Sequence, residues 1–143
     1  MDKIIKRIFE LIGDEETSYQ TLVDYLKLSH VSVIYAWKRG ESFPATNNLI
    51  KMSEFYGCSL DYLLNRTDDY GKCSKKQTVK FYDRLEEIIK NKKVKKIVLE
   101  KEKICSSNNL FKWKNMNSVP NVATLIKLAD YFNVTIDYLL GRE

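Results

Sequence analysis

The stretch "WKRGESFPATNNLIKMSEFYGCSLDYLLNR" occupies residues 37–66, and "WKNMNSVPNVATLIKLADYFNVTIDYLLGR" occupies 113–142. The offset is 76 residues without a gap, and twelve of the thirty positions are identical. They include Trp37/Trp113, Pro44/Pro120, Leu49/Leu125, Ile50/Ile126 and the whole DYLL of 61–64 and 137–140. Upstream, RIFELI (7–12) is matched by RLEEII (84–89), with the offset grown to 77. A period this long exceeds the ~20–50 residues of a solenoid unit. Length alone suggests one domain for 143 residues. The repeat instead predicts two small domains, 1–66 and 79–143, joined by a linker over 67–78.

Within each copy the apolar spacing is helical. Ile4, Ile5, Ile8, Leu11 and Ile12 share one face. Ser18 is the expected N-cap of a helix carrying Leu22 and Leu26. Ser29 is the expected cap of the next, which holds Ile34 and Trp37. Pro44 stops that run, and Thr46 or Asn47 opens a fourth helix with Leu49, Ile50, Met52 and Phe55. Gly57 ends it, and Ser59 caps LDYLLNR. In the second copy the same reading predicts helices over 81–90, 94–103, 106–114, 121–132 and 135–140. No segment sustains a period of two, and glycine (5) and proline (2) are scarce, so no substantial sheet is expected. The expected fold class is all-α: two tandem five-helix domains, with Trp37, Trp113 and the DYLL leucines in the cores. The linker TDDYGKCSKKQT is polar and without apolar periodicity. Fully extended at ~3.3 Å per residue it reaches roughly 40 Å.

Composition excludes several classes of function. With 44% hydrophobic and 30% charged residues the chain is globular. No apolar run approaches the ~18 residues of a membrane span. The opening MDKIIKRIFELIGDEE is charged throughout and does not read as a secretion signal. Cys58, Cys73 and Cys105 are odd in number and widely spaced, which points to reduced thiols in a cytoplasm rather than a disulfide framework. With His30 they match the four ligands of a structural zinc in number, yet no CxxC spacing occurs and each lies in a different element. No metal or cofactor is therefore expected. His30 is the single histidine, no phosphate-binding glycine loop is present, and the carboxylates are spread along helix faces. No enzyme is expected.

In each copy the second and third helices are separated by only a few residues, as in a helix-turn-helix. Such a unit can lay its second helix in the DNA major groove. The segment LEKEKICSSNNLFKWKNMNSVPNVATLIKLADYFNVTIDYLLGR (99–142) resembles the phage-repressor/Cro-type helix-turn-helix family, also called the XRE family. Its tail, LIKLADYFNVTIDYLLGR, is especially similar. The resemblance extends to both halves and leaves out only the linker. It implies two tandem repressor-like domains in a sequence-specific double-stranded DNA-binding transcriptional regulator. The expected sign is repression and the expected setting a bacterial or phage system, with a cytoplasmic, nucleoid-associated location.

The resemblance also implies roles for residues. In the second copy, Ser106 caps the recognition helix, and a capping hydroxyl with a helix N-terminus makes a phosphate site. Ser107 and Asn108 fall where the family reads base edges; asparagine can pair with adenine, and serine with several bases. Asn109 and Lys112 are expected on exposed positions, with Leu110 and Trp113 facing inward. Lys96 starts helix two, where the family touches phosphate, and Lys95, Lys114 and Asn115 flank it. Two departures stand out: Ile104, beside Lys103, falls on the turn position where glycine is usual, and Met116 stands where the first copy has Gly40.

The first copy has one residue more between Ser29 and Trp37 than the second has between Ser106 and Trp113. Either Tyr19 or Gln20 therefore fills its helix-two phosphate position. Its reading face is expected to hold His30, Val31, Ser32, Tyr35 and Ala36, capped by Ser29 and followed by Lys38 and Arg39, with Val31 and Tyr35 able to contact a thymine methyl or another protein.

The charge is divided unequally. Residues 1–71 hold 8 Lys+Arg against 11 Asp+Glu, or −3, and residues 72–143 hold 16 against 8, or +8. Phosphate neutralisation supplies most non-specific DNA affinity, so the basic half is expected to grip DNA. Its run NKKVKK (91–96) lies at the corner between helices one and two. A two-fold operator then has two solutions: a homodimer using only the C-terminal domains, or an intramolecular pseudo-dimer whose linker bridges half-sites ~34 Å apart. The alternative is a protein-interaction module, antitoxin-like or antirepressor, in which Val31 and Tyr35 of the first domain help to hold a protein partner.

Overall fold

A computed structural model describes residues 1–73 and 76–143. Among them are ten α-helices and no strand. The chain divides into two compact units, Met1–Cys73 and Ser74–Glu143. The first holds α1 (Asp2–Asp14), α2 (Tyr19–Leu26), α3 (Ser32–Arg39), α4 (Thr46–Tyr56) and α5 (Leu60–Leu63). The second holds α6 (Phe81–Asn91), α7 (Lys96–Lys101), α8 (Ser107–Asn115), α9 (Val122–Phe132) and α10 (Ile136–Leu139). No helix among the described residues is long and apolar enough to cross a membrane.

Short polar side chains cap half of these helices. Ser18 accepts from the Thr21 amide, Ser59 from Tyr62, Asn121 from Thr124 and Thr135 from Tyr138. Each bond satisfies one of the donors left open in a first turn. Each unit has its own core. In the first, Ile8, Leu22, Ile34, Leu49, Met52, Leu60 and Leu63 are almost wholly buried. In the second, Leu85, Leu99, Leu125, Leu128, Ile136 and Leu139 are. Trp37 and Trp113 lie in these cores as expected, and Trp113 meets Phe81 edge to face at 5.3 Å.

The repeat is visible in the backbone as well as in the letters. Left-handed corners occur at Glu16 and Lys93, Lys27 and Lys103, Gly57 and Asn133, and Asn65 and Gly141, each pair 76 or 77 residues apart. One side-chain clamp also recurs. Arg7 Nη1 donates to the Tyr62 carbonyl at 2.9 Å, and its guanidinium lies 4.2 Å from the Tyr62 ring centre. Arg84 Nη1 donates to the Tyr138 carbonyl at 2.9 Å, with its guanidinium 4.0 Å from that ring. Each arginine thereby ties the first helix of its unit to the last, through a charge-assisted bond and a cation–π contact.

Several expectations are corrected. Ser29 does not cap α3: the residue before that helix is Val31, and the Ser32 amide bonds to His30 Nδ1 at 3.1 Å. His30 therefore stands 76 residues before Ser106, and no extra residue separates the two turns. The additional residue lies between the start of the second helix and its left-handed corner: Lys27 is eight positions after Tyr19, and Lys103 is seven after Lys96. Tyr19, first in its helix, thus corresponds to Lys96, first in α7. Ile104 is not the left-handed residue; Lys103 is (φ 57°), and Ile104 is buried beside it. Met116 is spared as well, at φ −109°, because the left-handed conformation passes to Asn117 (φ 51°).

The described residues of the 67–78 segment are not free of the two units. Arg7 bonds to the Thr67 carbonyl and to Asp68, and the Ser59 amide to the Tyr70 carbonyl at 2.9 Å. Cys73 Sγ lies 3.4 Å from Ser53 Oγ. On the other side Gln77 donates to the Leu140 carbonyl at 3.0 Å, and the Thr78 amide to Gly141 at 2.8 Å. Positions 74 and 75 of the expected linker lie outside the described residues. A ~40 Å reach requires about twelve extended residues, and Thr67, Asp68, Tyr70, Cys73, Gln77 and Thr78 are bonded to one unit or the other.

Candidate nucleic-acid interface

In both units the second and third helices are joined by turns of equal length, 27–31 and 102–106. In the second unit Ser106 opens α8 with a reciprocal capping box. Its Oγ accepts from the Asn109 amide at 3.1 Å, while Asn109 Oδ1 accepts from the Ser106 amide at 3.0 Å. Asn109 Oδ1 also accepts from the Ser106 hydroxyl at 2.8 Å. The expectation that Asn109 sits free on an exposed face is therefore corrected: it is half-buried and its side chain is committed to the cap. Ser107, Asn108, Lys112, Lys114 and Asn115 are exposed, and Trp113 is buried beneath them. Leu110 is half-buried.

Lys95 is the residue before α7 and is exposed. Lys96, one position on, does not project freely. Its ammonium pairs with Glu86 of α6 and donates to the Tyr82 hydroxyl at 3.1 Å, and Tyr82 itself bonds to Glu86. The Lys96 ammonium is raised above the usual lysine value, first by Glu86 and then by Tyr82. Glu86 is lowered below the usual carboxylate value by the same lysine and then by Tyr82. The two charges stabilise one another, so any phosphate at Lys96 competes with Glu86.

The first unit fills the corresponding positions with rings. Phe9, Tyr19 and Tyr35 stand where the second unit has Glu86, Lys96 and Phe111, at offsets of 77, 77 and 76. They form a chain: Phe9 meets Tyr19 at 6.1 Å and Tyr19 meets Tyr35 at 5.0 Å, both edge to face. Tyr35 remains 44% exposed at its end. Phe9 also lines an open groove with Ile5, Lys38, Arg39 and Gly40. Arg39 is paired with Glu41 through both Nε and Nη2, at 2.8 and 2.9 Å, and each partner's pKa moves toward its charged form. Ser29, His30, Ser32 and Lys38 are exposed, whereas Val31 and Ala36 are half-buried rather than presented.

Three exposed apolar side chains of the second unit carry no strong mark in the sequence: Ile97 (58%), Phe111 (59%) and Met116 (67%). Phe111 has one usable signal, its place 76 residues after Tyr35. Among the described residues no group of three or more His, Cys, Asp or Glu could hold a metal ion. Burial pushes the Cys105 thiol up to about 11, which keeps it protonated and unreactive at neutral pH. Comparison of the chain with protein-family models, with curated proteins and with solved structures found no match.

Proposed function

We propose that the protein is a sequence-specific double-stranded DNA-binding regulator, built from two tandem repressor-like helix-turn-helix units, in which the second unit grips the duplex. The observation that carries the reading is the outward face of α8. Ser107, Asn108, Lys112 and Asn115 are exposed there, on a helix whose opposite side is anchored by Trp113. That helix belongs to the half with charge +8. Polar side chains able to read base edges, set among lysines able to neutralise phosphate, are what a major-groove helix needs. The DNA site is then an operator, and repression follows if it overlaps a promoter.

The test is selection from random duplexes by the full chain, followed by titration of the selected duplex against salt. An enriched sequence whose binding weakens steeply with salt supports the reading. No enrichment together with no salt-sensitive binding overturns it.

A second reading applies to the first unit alone and rests on the Phe9–Tyr19–Tyr35 chain. Aromatic surface is enriched at protein interfaces, and here it takes the position of the second unit's leading lysine. The first unit then holds a protein, a second copy of the chain or another partner. Tyr35→Ala would leave DNA affinity unchanged and weaken that association.

A further inference from the structure

Phe111 lies in the middle of the exposed face of α8. At ~100° per residue, side chains three and four positions apart share a face. Phe111 is four residues after Ser107, three after Asn108 and four before Asn115. All three are exposed, and Asn115 Nδ2 donates back to the Phe111 carbonyl at 3.0 Å. Of the six phenylalanines in the chain, Phe111 alone is exposed. Phe9, Phe55, Phe81 and Phe132 each pack against another ring. No such ring contact forms at Phe111 among the described residues. Its counterpart Tyr35 is partly covered by Tyr19, but the second unit has Lys96 at that position, turned toward Glu86.

A large apolar ring surrounded by serine, asparagine and the exposed Lys112 and Lys114 needs an apolar patch within a polyanionic, polar surface. The DNA major groove contains one such patch, the 5-methyl group of thymine, which apolar side chains contact. We propose that Phe111 reads a thymine methyl in the operator and is the residue that makes thymine distinguishable from other bases at the centre of the α8 contact. This rests on the DNA-binding reading above and names the base that the α8 face selects.

The experiment uses the full chain and the duplex it selects from a random pool. Each thymine is replaced in turn by deoxyuridine, which removes only the methyl group, and affinity is measured by fluorescence anisotropy. One position is expected to lose about four-fold with the wild type, the value of roughly one buried methyl group. With Phe111→Ala that position becomes indifferent to uracil, and with Phe111→Leu part of the discrimination returns. Circular dichroism melting checks that each variant folds, which its exposed position favours. If a selected duplex is bound but no uracil position separates wild type from Phe111→Ala, the proposal is overturned and the DNA reading stands. If no duplex is selected, both fall. Phe111-dependent binding of vesicles containing phosphatidylserine, with no duplex selected, would assign the patch to a lipid surface and also overturn the proposal.

Discussion

At the scale of single residues, neighbouring side chains of α8 have opposite tasks. Asn109 closes the capping box and Asn108 is exposed. Replacing a capping residue by alanine typically costs ~1 kcal/mol. Asn109→Ala is therefore expected to lower the melting temperature by several degrees while leaving the selected DNA sequence unchanged. Asn108→Ala is expected to do the reverse, leaving the melt unmoved and relaxing base preference at one position; repeating the selection with each variant checks both. Gly141 is constrained by backbone rather than by chemistry. It sits at φ 74°, and a Cβ there would come 1.8 Å from the Val79 carbonyl oxygen. Gly141→Ala must displace the 78–79 segment and is expected to cost more than ~2 kcal/mol. Gly57→Ala meets open space and is expected to cost only the ~1–2 kcal/mol of a left-handed alanine. Urea melts of the two variants make the comparison.

At the scale of elements, the contrast between α2 and α7 sets the difference between the units. Each starts against the first helix of its unit: Tyr19 leans on Phe9, and Lys96 pairs with Glu86. Glu86→Gln removes the carboxylate that holds Lys96. The expected result is tighter DNA binding and a salt dependence steeper by the equivalent of about one phosphate, a change near ~0.9 in the log–log slope. Acid has the same sign. Glu86 is depressed in the folded chain, so the pair's contribution is present above the ordinary carboxylate pKa and disappears as pH falls through the lowered value. Lys96 is then released toward phosphate. These predictions depend on tertiary partners, which the spacing of letters does not disclose. The lysine at the start of α7 is legible from the resemblance, but Glu86, ten residues earlier on another helix, is not. The Ile104 turn shows the same limit. Matching by letters puts isoleucine on the left-handed corner, whereas burial of Ile104 draws the chain so that Lys103 takes it.

At the scale of the whole molecule, the uneven charge makes a prediction that does not depend on base recognition. Lys112→Ala combined with Lys114→Ala is expected to reduce the log–log salt slope by about 0.9 for each phosphate that is no longer neutralised. Lys38→Ala, in the first unit, is expected to leave the slope unchanged; anisotropy titrations across a salt series measure both. The charge count, the helical periodicity, the ten-element all-helical order and the duplication were all determined by the sequence, because each is a property of local spacing or of self-comparison. The recurrent Arg7–Tyr62 and Arg84–Tyr138 clamps could be anticipated only as matched letters, since a guanidinium finds its ring and carbonyl after the first helix and the last have packed. Tertiary structure alone decided that the 67–73 segment is bonded to its unit, that a carboxylate restrains Lys96 and that Phe111 is left uncovered. The reason is common to all three: local spacing assigns a side chain to a helix face, but what it touches depends on other elements of the fold.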